Sequence, residues 1–318
     1  MKIIEILQEL IQIGIDTDPR GKKFVQGFLK DIQTKYAKLE DKEKKYFDQE
    51  KLTNPYLDSR VYYETDADIS TVMLGIDVET PELLLLDALK KKGQKIDAAI
   101  THHPEGLGLS NLDDVMSLQT GLLHKFGVPI NIAESIMNTR ISDVSKGLMP
   151  INYNRTVDAA KLLDIPFMGV HTPSDNCVSD CLQKRFDEEN PRKLQDIIEV
   201  LLEFEEYQIS YKDNNSPKII NGNKNSSCGK IYVDMTGGTE GPAVSIEKLA
   251  NAGVGTIVGM HMSPKHLEKA KECYVNILIA GHMSSDTLGL NLLFDKLERR
   301  KGELEFISCS GFKRIKRI

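Results

Sequence analysis

The chain contains no tryptophan, and its aromatic residues amount to 6% of 318 positions. Basic and aromatic residues are not interleaved, so a stacking platform for single-stranded nucleic acid is not indicated. Positive charge is not in excess either. The formal net charge is -6, which argues against a general nucleic-acid binder. The basic tail Gly311-Phe-Lys-Arg-Ile-Lys-Arg-Ile318 reads as a solvated end. No apolar run approaches the roughly 18 residues of a membrane-spanning helix. The opening Met1–Gly14 is interrupted by Glu5, Gln8 and Glu9 and does not read as a signal peptide.

Cysteine is sparse. None of Cys177, Cys181, Cys228, Cys273 and Cys309 forms a CxxC pair. An odd count without a secretion signal points to free thiols in a reducing, cytoplasmic compartment. Also missing are a P-loop, an HExxH helix and a GxSxG elbow. Gly106-Leu-Gly-Leu-Ser-Asn111 lacks both the third glycine and the preceding strand of a dinucleotide fingerprint.

What is present is alternation. The first sixty residues read as helix, and Gly21–Leu52 carries a sparse stripe at Phe24, Phe28, Ile32, Tyr36 and Leu39 that suits a surface helix, an arm against a partner subunit. From about residue 68, strands and helices alternate: DISTVMLGIDV, TPELLLLDALKKKG, KIDAAI, SLQTGLLHKFG, VPINIAE, NRTVDAAKLLD and IPFMGV. A polar stretch, Tyr211–Gly229, reads as a long loop. KIYVDM, PAVSIEKLANAG, GTIVGM, a helix through residue 272, VNILIAG, a closing helix and ELEFISC follow. This is the pattern of an α/β sheet protein.

Ligands of open α/β sheets bind beyond the carboxyl ends of the strands. There the chain places its histidines. His102-His103 follow IDAAI, His171-Thr-Pro-Ser-Asp175 follows PFMGV, His261 follows GTIVGM with His266 beyond it, and His282-Met-Ser-Ser-Asp286 follows NILIAG. Only His124 of the seven lies inside a predicted helix. Each piece alone has a plainer explanation: a surface pair, a helix cap, a hydrogen-bonded core imidazole. As a set, imidazoles and carboxylates after strands point to Zn, Mn, Fe, Co or Ni, and the lack of cysteine disfavours a structural zinc site. Neighbours in an extended chain face opposite ways, so His102 and His103 are expected to serve two ions on either side. His282 and Asp286 share a helical face, and Asp175 can bridge two cations. Such ions, roughly 3.5–4 Å apart, act as a clamp that activates water. His261 and His266 are open between supporting the site, contacting substrate and taking no part. Thr236-Gly-Gly-Thr-Glu-Gly241 is a tight turn whose amides suit an anion.

These segments resemble the Nif-three-like family of dinuclear-metal proteins, part of which is described as GTP cyclohydrolase type 2 homologues. The likeness covers about residues 54–318 and rests on ETPELLLLDAL, ITHHP, HTPSD, TGGTEG and GHMSSD in that order. It implies two α/β lobes with mixed sheets flanked by helices: residues 54–204 with HHP and HTPSD, a connection at 205–228, and 229–318 with GHMSSD. Residues 1–53 are an added helical segment. It implies two divalent metal ions on His102, His103, Asp175, His282 and Asp286, with His171 beside them as a ligand or a supporting group. His171 or His261 would carry protons. The activity implied is hydrolysis of a nucleotide, purine-ring or phosphoester substrate; the rivals are a metal-trafficking oligomer and an interaction scaffold. A homo-oligomer, hexameric in the family, is implied too. Asp286 stands where the family usually has Glu, and residues 106–153 exceed the usual connection.

Overall fold

The computed structural model describes residues 1–317. The expected α/β architecture is present as two sheets. The first runs β1-β4-β3-β2-β9, with β1 Arg60–Tyr63, β2 Thr71–Gly75, β3 Ala98–Thr101, β4 Phe167–Gly169 and β9 Glu305–Cys309. The second runs β5-β8-β7-β6, with β5 Lys218–Asn221, β6 Lys230–Asp234, β7 Val254–Gly259 and β8 Asn276–Ile279. In each sheet the edge strand β1 or β5 is antiparallel and the other pairings are parallel. Parallel strands buried on both faces require apolar runs, and β2 and β3 supply them: every residue in both is buried.

Three readings of the sequence are corrected. Val128–Glu134 is no strand; Ile130 opens a helix, Ile130–Leu148, entered from Pro129. A short β-branched run cannot reveal its period, and here Ala133 and Met137, four apart, bury one helical face. The 205–228 connection holds a helix, Glu205–Lys212, and the edge strand β5. Its polarity reflects exposure: only Glu206 and Tyr207 of the helix are buried, and β5 is not buried at any position. The N-terminal segment is no mere appendage. Helix Ile3–Asp16 buries Ile6, Leu10 and Ile13 in the same core cluster as Val72, Ile100 and Phe294. The C-terminal β9 returns to pair with β2 of the first sheet.

Two long helices, Thr172–Glu189 and His282–Lys301, pack along each other and join the two halves. Their approach is closest at Gly289, where an added Cβ would sit 2.7 Å from the Ser174 carbonyl oxygen. Asp175 follows Ser174, and Asp286 lies one turn before Gly289, so this contact sets the two carboxylates against each other. Alanine ordinarily favours a helix interior over glycine by about 1 kcal/mol. Here a backbone oxygen blocks the methyl, and overpacking costs about 1–3 kcal/mol. Gly289→Ala is therefore expected to lower the unfolding free energy in urea denaturation, and a gain in stability would contradict this packing.

Candidate metal centre

Register decides which residues meet. Thr101 pairs with Gly169, so His102-His103 and His171 leave the first sheet side by side. Asp234 pairs with Gly259 and Gly259 with Ile279, so the Thr236–Gly241 turn, His261 and His282 leave the second sheet as neighbours.

His102 and His103 do not point opposite ways as an extended chain would. The strand ends at Thr101 and the chain bends over β2, with the His102 amide on Gly75 O at 3.0 Å and the His103 amide on Ile76 O at 2.9 Å. The rings come to lie 5.2 Å apart, centroid to centroid. His102 is fully buried and His103 half-buried.

Each of three imidazoles is anchored through Nδ1. His102 Nδ1 faces the Val170 carbonyl at 3.1 Å, His103 Nδ1 faces Asp77 Oδ1 at 2.6 Å, and His171 Nδ1 faces Asp58 Oδ2 at 2.8 Å. These oxygens only accept, so Nδ1 carries a proton and Nε2 is turned inward. That is how metal-ligating histidines are usually fixed. The Nε2 atoms converge on two carboxylates. His102 Nε2 is 3.4 Å from Asp175 Oδ1 and 3.5 Å from Asp286 Oδ1. His171 Nε2 is 3.6 Å from Asp175 Oδ2. His103 and His282 Nε2 are 3.5 and 3.4 Å from Asp286 Oδ2.

These gaps exceed the ~2.9–3.0 Å of a good N–H···O bond. Among the described residues, His102 Nε2, Asp175 Oδ1 and both Asp286 oxygens are buried with no hydrogen-bond partner. Four unpaired polar atoms in one place suit a bound ion, since burying each unpaired costs of the order of 1–3 kcal/mol or more. Ligands bonded at about 2.0–2.2 Å to one tetrahedral ion stand roughly 3.4 Å apart, which is the spacing found. The donors fit a divalent transition metal. Two groups have ligand atoms within 4.8 Å of one another: His102, His171 and Asp175, and His102, His103 and Asp286.

The predicted residues are thus gathered, with differences of place. His171 lies in one of the two groups that could hold an ion, the first of the two places expected for it. His282 touches Asp286 but belongs to neither group of three. His261 is exposed, its ring 5.1 Å from that of His282, at the rim. His266 serves the turn: its Nε2 lies 2.9 Å from Gly241 O and its Nδ1 2.7 Å from Ser263 Oγ. His124 lies apart and faces Val128 O. The shorter Asp286 still reaches, its oxygens lying within 3.5 Å of three imidazoles.

Beside the cluster opens a small cleft bounded by Asp175, His282 and Asp286 on one side and Thr236, Gly238 and Glu240 on the other. The turn needs glycine at Gly237 and Gly238, whose φ angles are +101° and +87°. Gln119 Nε2 donates to Gly237 O at 2.8 Å and Thr239 O at 2.7 Å, and Arg140 Nε donates to Glu240 O at 2.9 Å. Both come from the 106–153 segment, which therefore builds a wall of the cleft. Sequence reasoning missed Gln119, Arg140, Asp58 and Asp77, which no motif spacing marks.

Charge follows burial. Burial, Asp286 and Asp58 drive the Asp175 carboxyl well above its usual range. Burial would do the same to Asp286, but His102, His103 and His282 hold it well below. Burial depresses His102 and His282. It also acts against the charged form of His103, yet Asp286 and Asp77 outweigh it and raise that imidazole to about 9.

No family model and no curated protein matches the chain. Solved structures do. A NIF3 superfamily protein from Sphaerobacter thermophilus is 27% identical with a TM-score of 0.70, over 80% of this chain and 91% of that one. Reduced HcgD from Methanocaldococcus jannaschii is 17% identical with a TM-score of 0.48, over 79% and 87%. Fold and donor set define a two-sheet α/β protein with a His/Asp cluster at the strand ends. The fold is that of the NIF3 superfamily protein, in agreement with the resemblance read from the sequence.

A pH dependence follows for the metal-free protein. His103, raised from 6.5 to about 9, adds stability that is fully present below pH 6.5 and lost as pH rises through about 9. An NMR titration of the histidine rings is expected to show His103 as the last to lose its proton, and Asp286→Asn to bring it back down. A His103 midpoint near 6.5 would contradict the arrangement.

Proposed function

We propose that the protein is a dinuclear metal-dependent hydrolase acting on a nucleotide, purine-ring or other phosphoester substrate, as GTP cyclohydrolase type 2 homologues imply. The observation that carries this reading is the set of buried, unpartnered donor atoms at the foot of an open cleft. His102, His103, His171, Asp175, His282 and Asp286 would hold the ions. Bound there, divalent ions supply Lewis-acid polarisation of the electrophile and activation of water.

The chain's own residues do the rest. Asp58, Asp77 and the Val170 carbonyl engage Nδ1 of the three imidazoles and fix their direction. His171, 7% exposed and bound through Nδ1, is a holder rather than a proton carrier. His261, exposed on the rim, is placed to pass protons between substrate and solvent. In the turn, the amides of Gly237 to Gly241 have no partner among the described residues, and Gln119 and Arg140 hold its carbonyls. Such consecutive amides suit a phosphate or another anion.

Metal analysis of untagged protein by mass spectrometry is expected to give about two transition-metal equivalents per chain, with loss in Asp175→Ala. The loaded protein should then turn over a member of a nucleotide and phosphoester panel, and His261→Ala should slow it by about 10²-fold or more without loss of metal. Full metal loading with no turnover across the panel would favour a metal-storing or trafficking protein instead.

A further inference from the structure

The loop before β1 carries a carboxylate that belongs to neither ligand group. Asp58 is fully buried. A buried carboxylate must be hydrogen-bonded to be tolerated. Its Oδ2 accepts from His171 Nδ1 at 2.8 Å and from Thr172 Oγ1 at 2.6 Å, and its Oδ1 accepts from Ser59 Oγ at 3.1 Å. The Ser59 hydroxyl in turn accepts from the His171 amide at 2.9 Å. Asp58 and Ser59 thus grip His171 by ring and backbone together.

The grip is traceable to the N-terminal helix. Asn54 Nδ2 donates to Ser59 O at 2.9 Å, and Asn54 Oδ1 accepts from the Tyr56 amide at 2.8 Å. The Tyr56 hydroxyl lies 2.8 Å from Asp18 Oδ2 and 3.0 Å from Gly14 O. Asp18 is held in turn by Arg20. Gly14 O also accepts from Asn176 Nδ2 at 3.2 Å, and Asn176 Oδ1 accepts from Thr236 Oγ1 at 2.7 Å. Asn176 is adjacent to Asp175, and Thr236 opens the glycine-rich turn.

We propose that Asp58 is a positioning residue for the metal centre, acting through His171, and that the segment before β1 holds it in place. The proposal rests on the metal reading above. Fixing Nδ1–H on a carboxylate aims Nε2 at the ion and makes it more basic, and loss of such a partner typically weakens metal affinity by about 10–100-fold.

The test uses the full chain, made metal-free and titrated with Co(II) against a competing chelator, while the visible absorption of the bound ion is recorded. Asp58→Asn is expected to bind Co(II) about 10–100-fold more weakly and with an altered absorption band. Tyr56→Phe, which removes one hydroxyl at a distance from the ligands, is expected to shift affinity the same way by a few-fold. It keeps the proposal testable if Asp58→Asn does not fold. Wild-type affinity and spectrum in the two variants, with stability alone reduced, would overturn the proposal. Absence of Co(II) uptake by the wild type would instead defeat the metal reading on which it rests.

Discussion

Two carboxylates buried face to face are the constraint on which the rest of this structure depends. Asp175 and Asp286 sit near the starts of two helices whose backbones are allowed together by Gly289. An isolated buried carboxylate is far too costly to keep charged. Without cations the pair resolves the conflict unequally, with Asp175 driven toward its protonated form and Asp286 held ionised by three imidazoles. Cations at the same place would relieve both at once. The helices, the strand register and the imidazole anchors all serve that arrangement.

The donor types of the cluster are imidazole nitrogens and carboxylate oxygens. No cysteine lies in either group that could hold an ion, and three of the imidazoles have their direction fixed from behind through Nδ1. Their anchors differ in character. Val170 offers a backbone carbonyl, Asp58 a buried carboxylate and Asp77 an exposed one. The anchor of His171 is therefore shielded from solvent, whereas that of His103 is open to it.

Much of the cluster could be read from the sequence because its histidines follow their strands directly: a strand end, a histidine, and in two cases an aspartate one helical turn later. Those are local patterns with a physical cause. The anchors were not legible. Asp58 lies 113 residues from His171 and Asp77 lies 26 from His103, so only the folded chain brings them together. The same holds for Gln119, whose amide meets the turn 118 and 120 residues away. The opposed directions expected for His102 and His103 failed because the strand stops one residue earlier. The Ile130–Leu148 helix was misread because a short apolar run shows no period. Likewise, β9 is a plain strand signal, but nothing local says that it closes the first sheet beside β2.

The central claim is that the orphaned donors hold metal. The most direct measurement is anomalous scattering at the metal's absorption edge from crystals of the loaded protein. The account predicts peaks among His102, His171 and Asp175 and among His102, His103 and Asp286. A map without anomalous peaks there, with the imidazoles hydrogen-bonded straight to the two carboxylates, would contradict it.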